Sequence, residues 1–301
     1  MKTLLTFFFS MLFFVSANAQ FFSALTERAD KAKDRILLIE QGDFECSEDI
    51  EALIKKYWKI GNGIEVKTSD EITAILTPEN AFKYMILTGD EKMEAKSNGS
   101  SAAPVIGMVL YLGENAMIRN ELNIDRKFVF KVSFPSCVVS EAEVLFICQH
   151  FENYLNNSVA NNQKKSVIPV DKTQSIQNLT LLIPKNATEL ELAAIKKAYK
   201  YPCELVGPSV ITKNILAKST GFAYLNILWS DKRFAWESVI ISCENSEVLS
   251  SAKNDYFKAT VNKKKWDKAT QPLAICRSKS KLAAYEFKTL NKSVLTSIEQ
   301  Q

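Results

Sequence analysis

From Arg35 onward the chain alternates between short apolar runs and apolar stripes at helical spacing. Arg35-Ile36-Leu37-Leu38-Ile39 has the length of a strand and ends in a polar turn. Ile50, Leu53, Ile54, Tyr57 and Trp58 then fall on one helical face, with Ser47 placed to cap that helix. Gly63-Ile64-Glu65-Val66 predicts a second strand, Asp70 to Leu76 a brief helix, and Phe82 to Asp90 a third strand. Val105 to Leu112 predicts a fourth strand. A longer stripe of Val144, Ile147, Cys148, Phe151 and Leu155 predicts a closing helix over Ser140 to Asn156.

The same order is then written again. Leu179 to Ile183 repeats the first strand, and Thr188 and Glu191 have capping-box spacing ahead of Leu192, Ile195 and Tyr199. Cys203-Glu204-Leu205-Val206 answers Gly63 to Val66, and Ser209 to Leu216 answers the brief helix. Phe222 to Asp231 faces Phe82 to Asp90, Phe234 to Cys243 is the next strand, and Lys281 to Ile298 is the closing helix. Ile-Lys-Lys recurs at 54–56 and 195–197, Asp90 matches Asp231, and Cys137 matches Cys276. Matches about 140 residues apart at several separate places mark a duplicated domain rather than a solenoid repeat.

The predicted fold class is α/β (α+β), a tandem duplication of a domain with a mixed sheet and helices packed mainly on one face. Within each copy the first crossover makes two parallel strands and the next pair is an antiparallel hairpin. The hairpin turn of the first copy is lengthened by Glu91 to Pro104, with Ser97 to Ser101 as its tip. The domain reading is residues 1–19 as a signal peptide, 20–156 as the first repeat, 157–177 as a polar linker and 178–301 as the second repeat. An amphipathic segment, Phe22 to Asp34, leads into the first copy. Duplication suggests a pseudo-two-fold arrangement with a cleft between the copies.

The signal peptide is read from Lys2, the apolar run Leu4 to Val15, and Ala17-Asn18-Ala19 before Gln20. That run is too short to span a bilayer, and no later run is long enough. The expectation is a bacterial protein in the periplasm or outside the cell, with no stable membrane insertion of the mature chain. Six cysteines, Cys46, Cys137, Cys148, Cys203, Cys243 and Cys276, permit up to three disulfides in such a compartment. The alternative is buried thiols, and both remain open. Hydrophobic residues at 47 % and charged residues at 24 % describe a folded globular chain. A net charge of +4 does not imply nucleic acid, and a scarcity of glycine, nine in all, argues against loops built to cradle phosphates.

The second hairpin runs Gly221-Phe222-Ala223-Tyr224-Leu225-Asn226-Ile227-Leu228, then Trp236 to Leu249 through Glu244-Asn245-Ser246-Glu247-Val248-Leu249. It resembles the hairpin of the TolB amino-terminal and CsgG-like periplasmic domains, chiefly over residues 203–249. Two positions depart from that pattern: Ala223 stands where the family has Asp, and Ser246 where it has the turn Gly. The resemblance implies an exported α/β module used in envelope assemblies and protein contacts, with no catalytic residues to carry over.

Candidate chemistry is sparse. His150 is the only histidine and falls at the edge of the long helical stripe, where a structural role is the simpler reading. No nucleophile elbow accompanies it. Gly61-Asn62-Gly63 reads as a left-handed helix ending rather than a phosphate loop. Glu48 with Asp49 and Glu189 with Glu191 sit in first helical turns, where the helix dipole accounts for them. The candidate partner surface is Tyr224, Trp229 and Trp236 on the second hairpin, with the basic run Lys263, Lys264, Lys265 and Trp266. The functional expectation is a non-enzymatic protein-interaction or assembly module with an envelope protein partner, no nucleic acid and no cofactor. The alternative is a small ligand bound in the cleft between repeats.

Overall fold

The computed structural model describes residues 23–24, 31–41, 49–95, 102–117, 128–134, 139–161, 176–230, 235–253, 282 and 284–299. The signal-peptide reading, Ser47, most of the linker and the basic run at 263–266 lie outside these residues.

Two mixed sheets form. The first contains β1 (Ser23–Ala24), β2 (Ile36–Glu40), β3 (Ile64–Lys67), β4 (Tyr84–Ala95), β5 (Ala102–Leu112) and β6 (Phe128–Phe134), in the order β1-β6-β5-β4-β2-β3. The second contains β7 (Thr180–Pro184), β8 (Cys203–Val206), β9 (Phe222–Ser230), β10 (Ala235–Ser242) and β11 (Val248–Lys253), in the order β11-β10-β9-β7-β8. The two-residue β1 apart, the orders are the same. So are the directions. β2 is parallel to β3 and β4, as β7 is to β8 and β9. β4-β5-β6 and β9-β10-β11 are antiparallel meanders.

Seven α-helices complete the described fold: α1 (Ile50–Tyr57), α2 (Ser69–Ile75), α3 (Gly113–Ala116), α4 (Glu141–Asn161), α5 (Leu192–Ala198), α6 (Pro208–Leu216) and α7 (Ala284–Glu299). α2 starts with a complete capping box, in which the Thr68 hydroxyl accepts from the Glu71 amide and the Glu71 carboxylate accepts from the Thr68 amide. Ser140 and Glu143 make the same exchange at the start of α4. The predicted box at Thr188 does not form. Thr188 instead donates to the Leu282 carbonyl at 2.6 Å and accepts from the Leu190 amide. α5 begins later, after Glu191, which makes no side-chain cap. Thr188 thereby ties the segment before α5 to the segment before α7.

Two boundaries differ from the sequence reading. α4 continues to Asn161, into the stretch read as linker. The Glu91–Pro104 insertion is largely strand: β4 and β5 pair from Met85↔Leu112 out to Ala95↔Ala102, so the longer turn is a longer ribbon.

Each sheet buries both faces. In the first unit, Leu37, Ile39, Met85, Leu87 and Leu110 face α1 and α4, while Leu38, Ile86, Val109 and Tyr111 group with Ile72 of α2 and Ala116 of α3. In the second unit, Leu181, Ile183, Leu225 and Ile240 pack with α5 and α7. The opposite face, Leu182, Tyr224, Val239 and Ile241, joins α6 and the α1–α4 side of the first unit in one continuous core. The paired α1–α4 and α5–α7 layers therefore lie on matching faces of their sheets. The face with α2 in the first unit matches the face with α6 in the second. The units stack in the same sense, head to tail, and the pseudo-two-fold arrangement is not formed. The place expected to be a cleft is filled by core side chains.

Candidate functional site

The seam between the units is built around α4. An ordinary surface helix keeps one apolar stripe, but a helix covered on several sides is apolar all round. Between Ala142 and Phe151 every residue is buried except Glu143 and Gln149, which are partly buried. Phe151 stacks on Trp58 and meets Phe130 at a tilt, both of the first unit, at ring separations of 5.4 and 4.9 Å. On the other side Phe146 meets Tyr224 of β9 edge-on, with ring centres 6.4 Å apart. Fully burying a Phe side chain contributes about 1.5–3 kcal/mol, so these two residues are main anchors of the stack.

Polar contacts fix the register of the seam. The turn between β10 and β11 presses on α4. It is closed by Ser246 N–H to the Ser242 carbonyl and Ser242 N–H to the Glu247 carbonyl, at 3.1 and 2.9 Å. Ser246 adopts φ 59°, the left-handed region that favours glycine. The Ser246 hydroxyl donates to Gln149 Oε1. The Asn153 amide donates to the Asn245 carbonyl at 3.3 Å.

His150 lies in the same contact, 8 % exposed, with its ring 5.4 Å from Phe146 and hydrogen-bonded to the Ser246 backbone. Burial holds the imidazole neutral and lowers its pKa to about 4. The edge of the apolar stripe, where the sequence places it, thus lies inside the seam. Burial also raises the carboxyl pKa of Glu143, against its Ser140 bonds. The thiols of Cys148 and Cys243 are pushed up to about 12, chiefly by burial. Cys148, Cys203 and Cys243 are free and buried, and thiols held so far from ionisation are poor nucleophiles. Cys46, Cys137 and Cys276 lie outside the described residues.

The candidate partner surface is not assembled by the residues the structure describes. Tyr224 is 2 % exposed and Trp236 is 3 % exposed. They lie on opposite faces of the second sheet, Tyr224 in the seam and Trp236 in the outer core with α5 and α7. Aromatic rings on both faces of a covered sheet become core, so neither is available to a partner. Trp229 is the ladder partner of Trp236. Lys263, Lys264, Lys265 and Trp266 lie outside the described residues.

Other polar structure holds the first unit together. The Arg35 guanidinium grips Glu114 with both arms and donates to the carbonyls of Lys31 and Tyr84 at 2.8 and 3.1 Å. Tyr57 and Lys56 both donate to Glu141, at 2.6 and 2.9 Å, joining the end of α1 to the start of α4. Gly61 has φ 82° and lies so close to the Arg35 carbonyl that a Cβ would collide with it. This explains the glycine as a close approach before β3, beyond the end of α1. Among the described residues no group of three or more His, Cys, Asp or Glu side chains forms a metal site, and no helix is long and apolar enough to cross a membrane.

Sequence reasoning passed over Gln149, Asn226 and the Arg35–Glu114 pair. The signal for Asn226 was its place inside the apolar run Tyr224 to Leu228. The signal for the Gln149 contact was a serine standing where a turn glycine was expected. Comparison with known proteins finds no family model, no curated protein and no solved structure that matches the chain.

Proposed function

We propose that the chain is an exported, non-enzymatic module acting by protein contact in a bacterial envelope. The observation that carries this reading is the seam. Two sheets of one topology are joined through α4 into a shared core, and the lone histidine is engaged there as a neutral structural group. A fold that commits its most versatile acid–base side chain to packing is suited to presenting outer surfaces to another macromolecule. The resemblance of residues 203–249 to TolB amino-terminal and CsgG-like domains supports the same reading, as does the leader-like start of the chain. The alternative, a small ligand in a cleft between repeats, has less support because that space is occupied by Phe146, Tyr224, Val239 and Ile241.

Crosslinking of the tagged mature protein in its own host, followed by mass spectrometry, tests the proposal. A dominant envelope protein recovered with the chain supports it. A catalytic turnover abolished by a single substitution overturns it.

A further inference from the structure

Among the described residues no strand pairs with the outer edge of β11. Yet Val248, Leu249, Ser250 and Ala252 are at most 3 % exposed. An edge strand turns every second backbone N–H and C=O outward, and such groups are costly to bury without a partner. In the first sheet the corresponding edge is closed. β1 pairs with β6, Ser23 opposite Lys131 and Ala24 opposite Phe130.

The repeat fixes which residues of the second unit correspond. Tyr111 of β5 and Ile241 of β10 lie on the same row of their sheets, since the row Leu38–Ile86–Tyr111 matches Leu182–Tyr224–Ile241. On that row both outer ladders shift by one residue, between Leu110 and Tyr111 and between Ile240 and Ile241. Phe128 therefore answers Val248, and Phe130 and Lys131 answer Ser250 and Ser251.

The lead-in to each sheet repeats as closely. The Ala32 carbonyl accepts the Arg35 amide just before β2, and the Ile176 carbonyl accepts the Leu179 amide just before β7, at 3.3 and 3.1 Å. The spacing from Ala32 through Arg35 to Ile36 is the spacing from Ile176 through Leu179 to Thr180. The same step carried back from Ser23 and Ala24 reaches Val167 and Ile168, in the run Ser166-Val167-Ile168-Pro169-Val170. These residues lie outside the described part of the chain. β-Branched residues suit a strand, and proline is tolerated on an edge strand.

We propose that the outer edge of β11 is a strand-acceptor site whose occupant is Val167-Ile168 of the same chain, Val167 opposite Ser251 and Ile168 opposite Ser250. Residues directly opposed on neighbouring strands share a face. Phe130 faces α4, and Ser250 faces α7 through Ser293, with the two hydroxyls 3.0 Å apart. The first sheet thus sets a large Phe130 against a small Ala24, and the second a small Ser250 against a large Ile168. The stretch read as a linker closes the second sheet as β1 closes the first, and withdraws its edge from pairing with other chains. This does not depend on the proposed partner role.

Paired cysteines in the full chain test the register. Opposed residues have Cα atoms about 4.5–5.5 Å apart, within the range a disulfide spans. Mild oxidation of Val167→Cys with Ser251→Cys, and of Ile168→Cys with Ser250→Cys, should give bonds within one chain, read by peptide mass spectrometry. Val170→Cys with Ser251→Cys is displaced by about 10 Å along the strand and should bond far less. Equal yields from matched and displaced pairs overturn the proposal, and bonds formed only between two chains assign the edge to a second copy instead. Amide exchange on the unsubstituted protein keeps the test independent of how the variants fold. Slow exchange at every amide from Leu249 to Ala252 is expected, and fast exchange at every second one overturns the proposal.

Discussion

The Ser246 hydroxyl donates to Gln149 Oε1 across the seam, from a backbone in the left-handed region. A serine there carries about 1–2 kcal/mol of steric cost that glycine avoids. The hydrogen bond it gains is worth about 0.5–1.5 kcal/mol. Ser246→Gly is therefore expected to be close to neutral in urea unfolding. Ser246→Ala keeps the strain and loses the bond, so its midpoint should fall clearly below that of Ser246→Gly. Equal midpoints for the two variants would remove the Gln149 contact from the account.

His150 gives the stability of the fold a pH dependence of known sign. Its pKa drops from 6.5 to about 4 on burial. The unfolded chain thus takes up a proton before the folded chain does. The contribution is fully present above the unfolded pKa, falls as pH drops from about 6.5 to 4, and is flat below. The loss over that window is about 3 kcal/mol at most. Glu143 works in the opposite direction: its raised pKa gives stability that is present below 4.5 and lost as pH rises. Comparing denaturant midpoints of the parent and His150→Gln between pH 7.5 and 5 separates the two. The parent should lose stability on acidification more steeply than the variant. Parallel curves would show that the imidazole is not buried neutral.

Cysteine labelling reads the seam and the outer core together. Cys148, Cys203 and Cys243 are free and buried, so their peptides should resist alkylation in the native protein and react fully after denaturation without reductant. Peptides that react only after reduction would mean disulfides at these positions. Rapid native labelling of Cys148 or Cys243 would mean that the seam opens.

Arg35 is a buried cation of the first unit, and its side chain is 8 % exposed against 40 % for Glu114. Burial pushes the Glu114 carboxyl up, but the Arg35 hydrogen bonds and charge leave it below its ordinary value. Removing one member of a buried pair costs about 3–5 kcal/mol, and less where one side is wet. Arg35→Met also releases the carbonyls of Lys31 and Tyr84. It should therefore destabilise more than Glu114→Gln in the same urea series. The reverse order would place the weight of the pair on its exposed end.

Strands and their order were legible because short apolar runs bounded by polar turns leave few alternatives. Correspondence between the copies was legible only approximately. The structure pairs Leu37 with Ile64 and Leu181 with Cys203, so Cys203 answers Ile64, one residue from the match read in the sequence. It likewise pairs Ile36 with Tyr84 and Thr180 with Phe222, so Phe222 answers Tyr84. Phe82, the apparent counterpart, lies in a 3₁₀ turn and is 58 % exposed. Aligning on a shared phenylalanine hid that turn. The burial of His150, Tyr224 and Trp236 was not legible for a different reason. Whether an aromatic or an imidazole at the margin of an apolar stripe meets water depends on what the other unit covers. That is a long-range property which no local period carries.

The same-sense stacking leaves the two outer faces of the described pair unlike. Phe287, Leu290 and Val294 of α7 are spaced as Val144, Ile147 and Phe151 of α4. In α4 the adjoining positions are Leu145, Phe146 and Gln149, which a second sheet covers. In α7 they are Lys288, Thr289 and Lys292, and both lysines are exposed. A further unit set down on α7 would have to desolvate two ammonium groups. The lysines thus disfavour the stacking of another such sheet on α7, as the polar outer face of a capping repeat does in longer arrays.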